Sequence, residues 1–400
     1  MKNNYLFIYI FILAMSIVFF PSLCLFFSIL FLLLEGYSGS RCRQTLFYLS
    51  LFSIAAIIVN SLSVTTLISS GDDFVAYYNN YLYFLSGDIN SGMTQFGNEI
   101  GVPLINYFLS IFIDEPWPYI VKLSHLLLII ILVLLLINEI KIKYKLQIRD
   151  VFILMALTFL FFKFQYIFLM LRQGYASIFV CFALFSTNKR NKIFFLLVAM
   201  IFHFSSIIVY FLCQFIIFNS SEKKYRIFFS SCVFLGGAIF FVGDYIQVIT
   251  QWNIVLHKLS FAFNNLLDTS NIMEAIKVNI LGLIYFLPLL VISIYKNRYL
   301  PIISIVVFVL TTSYIPGFSF RVIMPLYGIL LGYLYFDYIF IKNKIKNTLI
   351  IFILFDLLLF GNVMLSASYY QRYPLLSTQP CYYIKTFFYR ENININRAEL

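Results

Sequence analysis

Apolar residues in this chain come in continuous runs, and polar residues gather in short stretches between them. Tyr5–Phe20 and Ser22–Leu34 are two such runs, hinged at Pro21, whose missing N–H interrupts a helix. Leu46–Ile68, Tyr119–Ile137, Val151–Phe162, Phe168–Ser186, Ile227–Ile249, Val278–Tyr295, Ile302–Ile315, Val322–Ile341 and Thr348–Leu365 follow. Many approach the length of about 20 residues that crosses hydrocarbon as a helix. A spanning strand would alternate polar and apolar positions, so unbroken runs predict helices. The pattern predicts an all-α, polytopic membrane protein with about 11 to 13 membrane elements. No internal repeat is evident by eye. The first run has only Lys2 before it and no small-residue cleavage site after it, which predicts a retained helix rather than a signal peptide.

Two shorter patterns fall between runs. Asp73–Leu85 carries Phe74, Tyr77, Tyr78, Tyr81 and Leu85 at helical spacing, which predicts a helix lying in the membrane interface with its aromatic face down. Val102–Ile113 is apolar but reaches only about 18 Å, which predicts a second interfacial or re-entrant helix.

Composition agrees with the pattern. With 62% hydrophobic and 11% charged residues, a set of soluble domains is excluded. The net charge of +11 does not point to nucleic acid, because most Lys and Arg sit in short loops between runs, where they set orientation. Arg41 and Arg43, the cluster Lys141, Lys143, Lys145 and Arg149, and the turn 188–192 are expected in the cytoplasm. The stretch 69–118 holds Asp72, Asp73, Asp88, Glu99, Asp114 and Glu115 with no Lys or Arg, and is expected outside. A second outer loop is expected at 250–277 and an outer tail at 367–400, both on a single membrane domain, 1–366.

Ile193–Phe218 decides the remaining orientation. As one span it would place Lys223, Lys224 and Arg226 outside, together with the later basic loops. As two half-helices turning near His203–Ser206 it leaves all of them inside. Broken helices at membrane depth are tolerated where they line a cavity, so the second arrangement is expected.

The six Cys are scattered singly and the three His are far apart, so neither a disulfide framework nor a His-rich metal site is expected. The residues that fit chemistry are few. An Arg near hydrocarbon costs about 2.5–3.5 kcal/mol on insertion scales, so Arg172 and Arg321, both at predicted outer helix ends, are expected to serve a wet site or to snorkel to headgroups. Two guanidinium forks suit a diphosphate. His203, between Phe202 and Phe204, is able to give or take a proton, or else to cap a broken helix. Asp72 and Asp73 fit a general base or a helix N-cap. Glu99 fits a ligand for sugar hydroxyls or a solvated loop carboxylate. Gln173 accompanies Arg172. Tyr77, Tyr78 and Tyr81 offer sugar-stacking faces or an interfacial belt. Lys163, His125, His257, Lys258 and Asp356 have no companion that the sequence identifies.

The stretches GDDFVAYYNNY (71–81), NEIG (98–101), LRQGYA (171–176), a basic turn and FHFSS (202–206) together resemble the EpsG-like and Wzy-like polysaccharide polymerase families, with a weaker echo in FRVIMPL (320–326). That resemblance implies a bacterial inner-membrane glycosyltransferase of the GT-C type, with interfacial helices in its first outer loop. Its substrates would be undecaprenyl-diphosphate-linked oligosaccharides met at the periplasmic face, with the enzyme working either alone or beside a chain-length regulator. Arg172, His203, Asp72 and Asp73 would be catalytic. Arg321, Gln173, Glu99, Tyr77, Tyr78 and Tyr81 would bind substrate; with the Arg pair supplying counter-charge no cofactor or metal is needed, while Asp72 and Asp73 leave room for a divalent ion. The rival readings are a lipid-linked oligosaccharide flippase or other transporter, and a membrane acyltransferase acting on the same glycans.

Overall fold

The computed structural model describes residues 2–19, 21–38, 43–62, 73–114, 118–164, 167, 170–219, 221–249, 269–314 and 318–340. Among them there is no strand, in keeping with an all-α chain. They fall into two compact units. One takes the chain as far as Ser206 and takes back Gly328–Phe336; the other spans Ile207–Tyr327 and resumes at Asp337.

The first unit opens with α1 (Lys2–Phe19), α2 (Pro21–Ser38) and α3 (Arg43–Leu62). Its middle is α8 (Ile148–Phe161), in which every residue from Phe152 to Phe161 is buried. A helix that is apolar all round is a core helix or a membrane helix, and this one is covered by protein. Its neighbours reach it through glycines. A Cβ on Gly36 of α2 would lie 2.7 Å from Ile153 Cγ1, and one on Gly332 would lie 2.3 Å from the Leu157 carbonyl oxygen. The short helix carrying Gly332, Leu331–Tyr335, also stacks Tyr335 on Phe161, ring centroids 4.4 Å apart.

Between α3 and α8 lie α4 (Asp73–Leu85), α5 (Ile89–Thr94), α6 (Gly101–Phe112) and α7 (Pro118–Tyr144). Asp88 caps α5 by accepting from the Ser91 N–H at 3.0 Å, and its hydrogen bonds with Ser91 hold its carboxyl below the usual range. The interval 73–85 is helical as its spacing predicts. Its aromatic face does not lie toward lipid: Phe74, Tyr77, Tyr78, Tyr81 and Phe84 are buried in the protein. Tyr77 meets Phe96, and Phe84 meets Tyr107 of α6. Next come α9 (Leu171–Phe185) and α10 (Lys189–Phe202), packed side by side as a helical hairpin. Asn188 caps the start of α10 by accepting from the Arg190 N–H, and Lys143 donates to the Leu184 carbonyl near the end of α9.

The second unit contains the helix Ser206–Phe218 from its second residue onward, then Glu222–Ile249, Thr269–Leu283, Leu287–Tyr295 and Leu300–Thr311. Gly236 lets the second of these approach the last, since a Cβ there would lie 2.6 Å from the Thr311 carbonyl oxygen. At its polar end Arg298 pairs with Asp337 at 3.0 Å, and Lys296 donates to the Tyr338 carbonyl.

Among the described residues one helix, over Ile120–Tyr144, is long and apolar enough to cross a membrane by length and composition. Eight more apolar helical stretches are shorter, including Gly101–Phe112, Leu171–Phe185 and Ser206–Phe218. The apolar runs thus correspond to helices of mixed length, such as 12 residues at Gly101–Phe112 and 28 at Glu222–Ile249. Turns and prolines, such as Pro288 in the first turn of Leu287–Tyr295, divide the runs.

Candidate active site

Three segments from distant parts of the first unit meet at one carboxylate. Glu99 lies in the turn between α5 and α6, Arg172 in the first turn of α9, and His203 just beyond the last turn of α10. Arg172 Nη1 donates to Glu99 Oε2 at 2.5 Å, and His203 Nδ1 lies 2.8 Å from Glu99 Oε1. The Phe204 N–H reaches the same Oε1 at 3.5 Å. The Glu99 side chain is only 5% exposed, whereas those of Arg172 and His203 are 32% and 30% exposed. A buried carboxylate is costly unless its oxygens are paired, and here both are.

Local chemistry explains each placement. Gly174 lies in the first turn of α9, where the preceding chain folds back upon the helix: a Cβ at that position would lie 2.7 Å from Ile167 Cγ2 and 3.0 Å from the Ile167 carbonyl oxygen. That close return sets the start of α9, and with it Arg172. The guanidinium lies over the Phe96 ring, Cζ 4.7 Å from its centroid, a cation–π contact that steadies the plane of the fork. The helical run 189–218 breaks at His203, whose φ of −159° and ψ of 118° are extended. The chain resumes as a helix at Ser206, so the turn expected near His203–Ser206 is present. Phe202, the last residue of α10, stacks on Tyr175 and Phe179 of α9. Gly101 abuts the same ring: a Cβ there would lie 2.4 Å from Phe202 Cδ1. The segment bearing Glu99 therefore sits directly against the residue preceding His203.

A carboxylate can only accept, so the Nδ1 of His203 is the protonated nitrogen. In the neutral ring Nε2 is then an acceptor, and it has no hydrogen-bond partner among the described residues. On Arg172, Nη1 is committed to Glu99, while Nε is buried without a hydrogen-bond partner among the described residues. An unmatched buried donor costs about 1–3 kcal/mol. The site thus combines an oriented proton acceptor with a guanidinium that is about a third exposed. No group of three or more His, Cys, Asp or Glu placed to hold a metal ion occurs among the described residues.

The other expected site residues divide. Gln173 is half-buried beside Arg172 in sequence. Asp73 is the first residue of α4, while Asp72 lies outside the described residues, as do His257, Lys258 and Asp356. Arg321 is exposed near the end of the short helix Phe318–Val322, in the second unit. The expectation that Tyr77, Tyr78 and Tyr81 offer sugar-stacking faces is corrected, because they are 3%, 4% and 0% exposed and their rings are used inside the protein. Tyr81 donates to the Ile113 carbonyl at 2.7 Å. Burial, and after it the charge of Asp114, push its phenol up to about 12, so it stays a donor near neutral pH. The solvated-loop alternative for Glu99 is also overturned, since that residue holds the site together. His125 is not without a companion either: it contacts Tyr175 and Asn106. An Asn in the middle of an apolar helix, as Asn106 is, was the available signal, because a buried amide requires partners.

Fold and site together define, over the described residues, an all-helical chain with membrane-compatible helices and a Glu–Arg–His centre. The chain belongs to the EpsG family, whose model matches residues 50–377, which makes it a polysaccharide polymerase-related membrane protein. Neither a curated protein nor a solved structure matches it.

Proposed function

We propose that this protein polymerises a bacterial surface polysaccharide at the outer face of the inner membrane, joining lipid-linked glycans by a glycosyl transfer without metal or nucleotide. The observation that carries this reading is the bridging of Arg172 and His203 by Glu99. The hydroxyl of an acceptor sugar attacks the anomeric carbon of a donor glycan held on undecaprenyl diphosphate. The new glycosidic bond forms as the bond from that carbon to the phosphate oxygen breaks. His203 Nε2 takes the hydroxyl proton, with Glu99 steadying the imidazolium that results. Arg172, whose side chain is about a third exposed, meets the diphosphate, where negative charge grows during the transfer and a preplaced cation is most useful. Arg321 and Gln173 are further candidates for holding the donor, and Asp72 and Asp73 for orienting the acceptor.

Family membership supports the chemistry, and the acidic, Lys- and Arg-free stretch 69–118 supports an outer-facing site. A cell carrying Arg172→Ala in place of the wild-type chain should export single repeat units and lack long glycan chains on a gel. A normal ladder from that cell removes Arg172 from the mechanism. Loss of single units as well as long chains would instead favour a transporter.

A further inference from the structure

Four polar side chains in the first unit form a fully buried cluster that the transfer scheme does not use. They are Asn80, Asn106, His125 and Tyr175, each 0% exposed. The Asn106 amide donates to the Tyr77 carbonyl and to Asn80 Oδ1, both at 3.0 Å, which leaves Asn106 Oδ1 as the acceptor facing His125 Nε2 at 3.0 Å. That assigns the tautomer: Nε2 carries the proton, and Nδ1 accepts from the Tyr175 hydroxyl at 2.9 Å. Asn80 closes the chain by donating to the Gly92 carbonyl at 2.7 Å. Each of these amide and ring groups has a partner, as burial at this depth requires.

The cluster ends on the segments that carry the Glu99 centre. Tyr175 stands one helical turn after Arg172 on α9, and its ring stacks on Phe202, centroids 5.0 Å apart, just before His203. Asn106 belongs to α6, which begins at Gly101, two residues after Glu99. His125, on α7, is the one side chain in the cluster that bonds to both α6 and α9.

We propose that His125 is a positioning residue for glycosyl transfer. Through Asn106 and Tyr175 it sets the distance between the segment bearing Glu99 and the helix bearing Arg172. The inference rests on reading the Glu99 centre as the reacting site. A packed apolar residue would fill the same volume but would leave the register of α6 against α9 unspecified, whereas a closed hydrogen-bond network admits one register.

The test compares full-length variants in native membranes supplied with the host's own lipid-linked repeat units, with rates expressed per molecule of inserted chain. His125→Phe keeps the ring and removes both bonds; it should lower kcat by about tenfold or more with little change in KM. His125→Gln can donate to Asn106 and accept from Tyr175, and should recover most of the loss. Where the Phe variant does not accumulate, Tyr175→Phe gives the same reading, since it deletes one hydroxyl and keeps the stack on Phe202. Wild-type kcat in His125→Phe or Tyr175→Phe, or a Gln variant no better than Phe, would overturn the proposal. Glu99→Gln in the same series separates the two levels. If that variant is inactive while His125→Phe is normal, only the positioning role fails; if it is fully active, the reacting-site reading fails and takes the positioning role with it.

Discussion

Glu99 Oε1 and His203 Nδ1 lie 2.8 Å apart across 104 residues of chain. That contact converts a helix break into a site. His203 ends α10 in an extended conformation, and the carboxylate from the first polar loop receives both its ring N–H and, more weakly, the N–H of Phe204. The other oxygen of the same carboxylate holds Arg172. The imidazole and the guanidinium are thereby set at a separation determined by one side chain.

The pair should behave as one unit in kinetics. Glu99→Gln is expected to slow polymerisation by about tenfold to a hundredfold per molecule. The double variant Glu99→Gln with His203→Gln should be no slower than His203→Gln alone, because each loss removes the same function. Fully multiplicative losses in a double-mutant cycle would show that the two act independently.

Arg172 is expected to matter for its shape as well as its charge. Arg172→Lys keeps the positive charge but loses the fork and the planar contact with Phe96, and should cost about tenfold or more in transfer rate. Glycan chain length on a gel, at matched protein levels, reads this directly. A lysine variant with a normal ladder would reduce the role of residue 172 to charge alone.

Gly101 has no room for a methyl group. A Cβ would come within 2.4 Å of the Phe202 ring, so Gly101→Ala should destabilise the chain by about 1–3 kcal/mol while displacing Glu99 from His203. A Cβ at Gly237 meets nothing within 4 Å, so Gly237→Ala is the matching control and should melt no lower than wild type. Thermal unfolding in detergent and the glycan ladder check both statements. Equal melting and equal activity in the two variants would refute the packing argument.

Tyr81 is expected to serve the fold and not the substrate. Tyr81→Phe removes one hydrogen bond to the Ile113 carbonyl and should cost about 1 kcal/mol of stability with KM for the lipid-linked substrate unchanged. A specific rise in KM would restore a binding role for this ring.

The break at His203 also carries a topological consequence. If Lys189–Phe202 and Ser206–Phe218 act as half-helices, the basic group Lys223, Lys224 and Arg226 returns to the cytoplasm. A reporter fused after Ser221 should then give a cytoplasmic signal. A periplasmic signal rejects this arrangement.

Part of this was legible from residues alone. The helical character follows from unbroken apolar runs, the helix at 73–85 from its spacing, and the stop near His203 from the charge that follows it. Arg172 and His203 were visible because charged and proton-handling groups are expensive in apolar surroundings. Glu99 was visible as a sugar-binding or solvated loop acid but not as the partner of Arg172 and His203, since a carboxylate bordered by Asn and Ile carries no mark of what it will touch. The tyrosines misled because helical spacing defines a face without saying what covers it. Lipid and protein interior are equally apolar, so hydropathy does not tell them apart.

The sequence by itself determined that this chain is helical and suited to a membrane, because backbone hydrogen bonding and apolar length are local properties that each segment satisfies alone. It also offered Arg172 and His203 as candidates for a site. Only the tertiary structure decided that both would meet on Glu99, that the aromatic face of 73–85 would turn inward, and that His125 would join α6 to α9. Those outcomes depend on contacts between segments tens of residues apart, and such contacts are selected by packing shape and by the pairing of buried polar groups, neither of which is written in any one stretch of the chain.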